Sequence, residues 1–403
     1  MIYFVRNMFP LIGIVGLVNP AFINNILYTR ATSHSNRLDD ALSGMLQTGG
    51  VGYETYVFAL VYTIACMKLL MQMRLDWQKI KLPKVFYAFL AMILLSTLWS
   101  TDKVETISRI LFLSMKIGFL LWCFNTFGLT GIINRILIVT SLNLWIALLL
   151  VFISPDKVFM SYAGSIAFNG LFSHKTAMGC SCAIFLMLIL FKTKLTFIDI
   201  VQILVFALAL LMSKSLSALI FLLVFYALYV IRNLRNYRLR FILYVSFFQL
   251  IIIMLMLSDI ILIAAGKEDL NGRLQTWTQI LQFELPHYFG SGYYGFWRIE
   301  QNSDIFQFLL ERGRYVASLH NGFLSALYDL GILGLILFLG LYIYLFLRSL
   351  KFHNQVGNFV FAFAFSMFAY SMMESSIYLG RQLEAHIFTL MLISASRLEK
   401  MIG

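Results

Sequence analysis

Five side chains combine basic chemistry with settings in which they can meet an anion or a proton. Lys214 stands in Ser213-Lys214-Ser215, three polar residues between two apolar runs. Arg273 lies in Asn271-Gly272-Arg273-Leu274-Gln275-Thr276-Trp277, and His320 in Ser318-Leu319-His320-Asn321 at the start of another apolar run. His174 and Lys175 close Gly170-Leu171-Phe172-Ser173-His174-Lys175. Each has a plain reading and a chemical one. Lys214 either snorkels to a membrane interface or grips an anion. Arg273 is either a solvated cation or a bidentate ligand for phosphate oxygens. His320 is either structural or a base working near neutral pH. Gly331 and Gly334 further along the same run let another helix approach closely, which could fix His320.

The segments that must position these groups are helices in lipid. The chain is 60% hydrophobic and only 12% charged, with a mean hydropathy of +0.83, whereas soluble domains carry about 25% charged residues. Runs such as Phe58–Met73, Ile107–Phe124 and Phe323–Leu347 reach or approach the roughly 20 residues that cross a bilayer. They are continuous and do not alternate, which disfavours a β-barrel. The reading is an all-α, polytopic helical membrane protein forming a single integral domain over 1–403, with about twelve transmembrane helices. The spans fall at 6–28, 51–71, 84–99, 107–126, 131–153, 175–192, 196–212, 216–231, 240–264, 321–347, 356–377 and 383–397. The first is expected to stay as a helix, since no small-residue cleavage site follows it. Within 154–174, Phe159–Phe172 is half apolar and is read as a segment dipping into the interface.

Formal net charge is +12. Nucleic acid is not the inference, because the excess sits in short loops. Arg74, Lys79, Lys81 and Lys84 form one group, Arg232, Arg235, Arg238 and Arg240 another, and Lys192, Lys194, Arg348 and Lys351 mark two further turns. All fall on one side of the count of spans, which makes that side, and both termini, cytoplasmic. The stretch 265–320 between the ninth and tenth spans is then one large extracytoplasmic loop. It holds Arg273, Trp277, Arg298, Arg312 and Arg314, and the last three read as sugar ligands, as a lid over the site or as charges facing water. Cys66, Cys123, Cys180 and Cys182 lie inside apolar runs with no metal spacing and are read as packing residues.

Cations gathered at one membrane face suit an anionic lipid, such as a polyprenyl pyrophosphate, and glycosyl transfer from it. Positive charge would stabilise the departing pyrophosphate and a base would take the acceptor's proton. Trp277, Tyr288, Tyr293, Tyr294 and Trp297 either stack on sugars or form an interfacial belt. A transporter or flippase would instead need charges in mid-membrane. Lys116 and Glu374 are available, and Glu374 reads either as a coupling carboxylate or as the structural partner of Arg381.

The ordered stretches Leu95-Ser96-Thr97-Leu98-Trp99-Ser100 with Asp102, Gly170 to Gly179, Ser213-Lys214-Ser215, Gly272-Arg273 with Trp277, Gly290-Ser291-Gly292-Tyr293, and His320-Asn321 with Gly331 resemble the O-antigen ligase and polysaccharide polymerase superfamily of bacterial membrane glycosyltransferases. The resemblance covers roughly residues 90 to 345. It implies a metal-independent, cofactor-free glycosyltransferase of GT-C-like helical fold, acting on an undecaprenyl-pyrophosphate-linked glycan at the periplasmic side of the inner membrane. Flippase and chain-length co-polymerase partners are implied with it. The ligases' essential histidine matches His320 and their second arginine Arg273; where their first arginine stands, this chain has Lys214, which keeps the charge but loses the fork. In that scheme His320, Arg273 and Lys214 are catalytic, while Lys175, His174, Asn321, Trp277, Arg298, Arg312 and Arg314 bind substrate. Where many relatives have asparagine after the His-Lys pair, this chain has Thr176. Polymerisation of repeat units is the expected activity, with ligation to lipid A-core the nearest rival.

Overall fold

A computed structural model describes residues 2–19, 53–73, 82–162, 165–192, 194–256, 273–283, 288–296, 319–352, 354–375, 378 and 382–397. At 2–7, 53–55, 162, 165, 248, 250–256, 273–275 and 282–283 it describes the backbone alone. The described chain is mostly helix and divides into two compact units: Met1–Pro83, Arg109–Leu222 and Gly380–Gly403 in the first, Lys84–Ser108 and Leu223–Leu379 in the second.

The first unit is built around a helix that is buried along most of its length. Helices α1 (Ile2–Val18) and α2 (Tyr53–Met73) come first. In the second unit, α3 (Lys84–Leu95) leads through a short 3-10 turn, Ser96–Leu98, to the start of α4 (Lys103–Ile153). From residue 109 α4 belongs to the first unit. A hairpin of β1 (Phe159–Tyr162) and β2 (Ser165–Phe168) follows, then α5 (Lys175–Leu188), α6 (Phe197–Met212) and the first residues of α7 (Leu216–Asn233). Every residue of α5 from Ala177 to Leu188 is buried. Such a helix has no polar face to show solvent, so it must be enclosed by neighbours. α6 lies along it, with Phe185 and Phe206 stacked at 3.7 Å, and α12 (Leu383–Ala395) packs on it as well.

One sequence expectation changes here. The stretch read as an interfacial dip is a two-stranded antiparallel hairpin pairing Phe159 with Phe168 and Tyr162 with Ser165. Main-chain pairing satisfies polar groups that a bare dip would leave open, so the chain is not wholly helical. The runs 107–126 and 131–153 are two helical segments, as read, meeting at Gly128, where φ is 67° and ψ 177°. The break falls in the gap read between those spans.

The second unit continues with the rest of α7, α8 (Tyr237–Met256), α9 (Arg273–Phe283), the segment 288–296, α10 (Gly322–Leu350) and α11 (Gln355–Ser371). Lys103–Ile153, Leu216–Asn233 and Gly322–Leu350 are long and apolar enough to cross a membrane, and six shorter apolar helices accompany them. Aromatic rings fill the core around α10: Phe89 of α3 meets Phe338 at 5.8 Å, and Phe323 meets Phe368 of α11 at 5.0 Å. At the far end of α10, buried Arg232 of α7 donates to the carbonyls of Ser349 and Phe352 and to Asn358. Carbonyls at and just past a helix end have spare accepting capacity, and a guanidinium supplies several donors at once.

α10 is not one straight rod. Gly331 adopts φ 69° and ψ −168° inside it. A side chain at this position would place its Cβ 1.9 Å from the carbonyl oxygen of Tyr288. Only glycine allows that approach and that φ. The break leaves 332–350 as about 28 Å of helix, enough alone to span the hydrocarbon, and 322–330 as a short separate segment.

Candidate active site

The short segment 322–330 begins two residues after the imidazole of His320. Asn321 caps it, its side-chain oxygen accepting from the main-chain N–H of Phe323 and Leu324 at 3.0 Å each. His320, just ahead of the cap, is held at φ 46°. A left-handed non-glycine residue costs of order 1–3 kcal/mol and persists where its surroundings fix it. Here the surroundings include a carboxylate: His320 Nδ1 lies 3.2 Å from Glu374 Oε2. Glu374's side chain is 10% exposed and that of His320 38%. A carboxylate on Nδ1 selects the tautomer with its proton there, which leaves Nε2 as the basic nitrogen.

α9 is anchored to the same place. Trp277 donates its indole N–H to the carbonyl of Leu319 at 2.6 Å. One turn further on, Ile280 packs with Phe296, Leu319 and Tyr328 in a small buried cluster that Leu324 completes. Arg273 is the first residue of α9, four before Trp277 and seven before Ile280, so its position shares their face of the helix. Arg273 and His320 thus start two elements locked together by one indole hydrogen bond and one apolar cluster.

The segment 288–296 closes the arrangement from the other side. At the Gly331 break, the carbonyls of Tyr328 and Asp329 accept from Ser291 N and Gly292 N at 2.9 and 2.8 Å. The Asp329 carboxylate takes the N–H of Tyr294 on one oxygen and of Phe296 on the other, at 3.2 and 3.1 Å. Ser96, Trp99, Thr101 and Thr106 hold the same segment through Tyr293 N, Phe289 O, Ser291 and Gly295 O, and Tyr293 O respectively. The motif around Ser96 to Ser100 therefore clamps this segment. Buried Tyr378 stacks edge-on with Tyr293; burial, with the Asp329 carboxylate beside it, pushes its hydroxyl well above the usual tyrosine range.

In the first unit, Ser213 closes α6 through its N–H on Ala209 O and its Oγ on Leu210 O. Ser215 faces the first turn of α7, with its Oγ 3.4 Å from Ala218 N. Lys214 between them is exposed, with φ 50°. Gly179 of α5 faces this turn: a Cβ there would lie 2.7 Å from Ser215 Cβ and 2.8 Å from Ser213 Oγ. Lys175 stands one helical turn before Gly179 on the same face. His174 is the N-cap of α5, its Nδ1 accepting from Thr176 N at 3.2 Å.

Of the residues expected from sequence, His320, Asn321 and Trp277 come together with the start of the Arg273 helix. Asn321 serves as a cap and Trp277 as an anchor. Lys214, Lys175 and His174 gather in the first unit. Arg298, Arg312, Arg314 and Trp297 lie outside the described residues, as does Arg381. Glu374 pairs with His320, a partner that sequence reasoning did not supply. Asp329 was missed altogether. A lone carboxylate inside the apolar run Phe323–Leu347 was the available signal.

The geometry defines a helical membrane protein whose one described imidazole–carboxylate pair sits beside the helix begun by Arg273. Residues 201–339, about a third of the chain, match the O-antigen ligase family model. Over this stretch the chain is similar to that family, which supports the resemblance to the O-antigen ligase and polymerase superfamily. The matched stretch contains Lys214, Arg273, Asp329 and His320; Lys175 and Glu374 lie beyond it. No curated protein matches the chain.

Proposed function

We propose that the protein polymerises undecaprenyl-pyrophosphate-linked oligosaccharide repeat units by metal-independent glycosyl transfer. The observation that carries the reading is the His320–Glu374 pair beside the helix that begins at Arg273. The acceptor hydroxyl oxygen bonds to the donor's anomeric carbon as the bond from that carbon to phosphate oxygen breaks. The electron pair leaves with the polyprenyl pyrophosphate, and the hydroxyl proton passes to Nε2 of His320. Glu374 stabilises the imidazolium that results, as a buried acceptor on Nδ1. Arg273 and Lys214 are assigned to the donor diphosphate on charge and family resemblance, with Lys175 assisting on charge. Inversion at the anomeric carbon is what the superfamily implies.

The reading places the protein in the bacterial inner membrane, with its site on the periplasmic side and its termini in the cytoplasm. Flippase and chain-length co-polymerase partners would serve it there. Reconstitution with lipid-linked repeat unit tests the chemistry: chains should lengthen with neither metal nor nucleotide sugar added, and no lengthening would overturn it. Gene deletion separates the two activities of the superfamily. Single-repeat glycan attached to core marks a lost polymerase, whereas full-length glycan left on the carrier marks a lost ligase.

A further inference from the structure

Among the described residues, three that are not glycine adopt a left-handed φ: Lys214, His320 and Tyr294, the last at 66°. The first two already have chemical roles in the proposed reaction. Tyr294 stands in a segment that uses glycine freely. Gly290 and Gly292 have φ of 67° and 92°, and a Cβ at Gly295 would lie 2.2 Å from the oxygen of Ser291. Glycine occupies neighbouring positions that need it for backbone reasons, yet 294, where φ asks for it equally, carries a large aromatic. Backbone geometry therefore does not account for tyrosine at this position; its side chain must.

The two adjacent tyrosines differ. Tyr293 is 1% exposed and belongs to the core, whereas Tyr294 is half-buried with its ring edge-on to Tyr293 at 5.0 Å. The main chain at 294 is pinned by Asp329, a buried carboxylate in an apolar helix with one oxygen on Tyr294 N and the other on Phe296 N. Phe296 packs in the same cluster as Leu319, the residue before His320. Asp329 lies nine residues beyond His320, roughly 13 Å along a helix, about the length of two or three linked sugar rings. A half-buried phenol at that remove from a base suits the apolar C–H face of a pyranose.

We propose that Tyr294 is a sugar-contacting residue of the His320 site, gripping the glycan a few rings from the reacting hydroxyl, and that Asp329 is the positioning residue that holds it there. The proposal rests on the glycan reading above. Its test therefore has an arm that needs no turnover. Equilibrium dialysis of the full-length protein in nanodiscs against radiolabelled free repeat-unit oligosaccharide should show binding to wild type that weakens about tenfold in Tyr294→Ala and recovers to within about threefold in Tyr294→Phe. In elongation assays Tyr294→Ala should raise KM for the acceptor about tenfold with kcat within about threefold. Asp329→Asn should raise KM likewise and speed amide exchange at Tyr294 and Phe296. Equal oligosaccharide binding by wild type and Tyr294→Ala, or no binding by wild type, overturns the proposal whatever the activity. Elongation absent from a wild type that binds the oligosaccharide overturns the polymerase reading instead and leaves the sugar contact standing.

Discussion

Trp277 and Leu319, 42 residues apart, are joined by a 2.6 Å hydrogen bond from indole N–H to main-chain oxygen. The bond ties the helix begun by Arg273 to the residue beside His320. Trp277→Phe keeps the ring and loses the donor, leaving the Leu319 carbonyl short of a partner at a cost of about 1–3 kcal/mol. Elongation should fall at least tenfold, with a smaller loss of thermal stability. Single-turnover kinetics on the reconstituted protein check it. Unchanged kinetics would show that the anchor is dispensable.

His320 and Glu374 act as a unit, so their losses should not add. His320→Ala is expected to slow elongation by about 10²–10⁴, and Glu374→Gln by a smaller factor, because an amide still accepts a hydrogen bond but does not stabilise the imidazolium by charge. The double variant should resemble His320→Ala alone. Fully additive losses, measured at matched protein levels, would separate the two residues.

The Lys214 turn separates charge from backbone. Lys214→Gly relieves the left-handed strain and removes the cation, so thermal stability should rise by up to about 1 kcal/mol while activity falls. Lys214→Arg keeps the charge and should retain most activity. A glycine variant that turns over like wild type would show that the lysine only snorkels.

Gly331→Ala must displace the carbonyl of Tyr288, since the added Cβ would stand 1.9 Å from it. The expected outcome is a loss of at least about 1–3 kcal/mol with release of the segment 288–296. Limited proteolysis between α9 and α10 should accelerate. Unaltered protease sensitivity would place that segment's stability elsewhere.

Tyr378 supplies a pH signature. Its folded pKa lies well above that of an ordinary tyrosine, so the neutral phenol is favoured by folding. That contribution is fully present below the unfolded pKa of about 10 and is lost as pH rises through the folded value. Melting temperature should therefore drop more steeply above pH 10 in wild type than in Tyr378→Phe. Parallel curves between pH 8 and 11 would count against the buried phenol as the cause.

The amino-acid sequence determined the solvent and the helices. Continuous apolar runs have no other stable state in lipid, because every backbone polar group must be paired within its own segment. It also singled out Lys214, Arg273, His174, Lys175 and His320, since basic groups are rare in such a chain and stand out wherever they occur. Composition does not report partnership. The pairing of His320 with Glu374, 54 residues away, and the double grip of Asp329 on Tyr294 and Phe296 arise from contacts between distant segments. Local pattern carries no trace of them. The break at Gly331 is the case in point: the sequence displays a glycine in an apolar helix, a residue with many uses. Only the close passage of Tyr288 turns it into the place where the helix opens two carbonyls and takes up the segment 288–296.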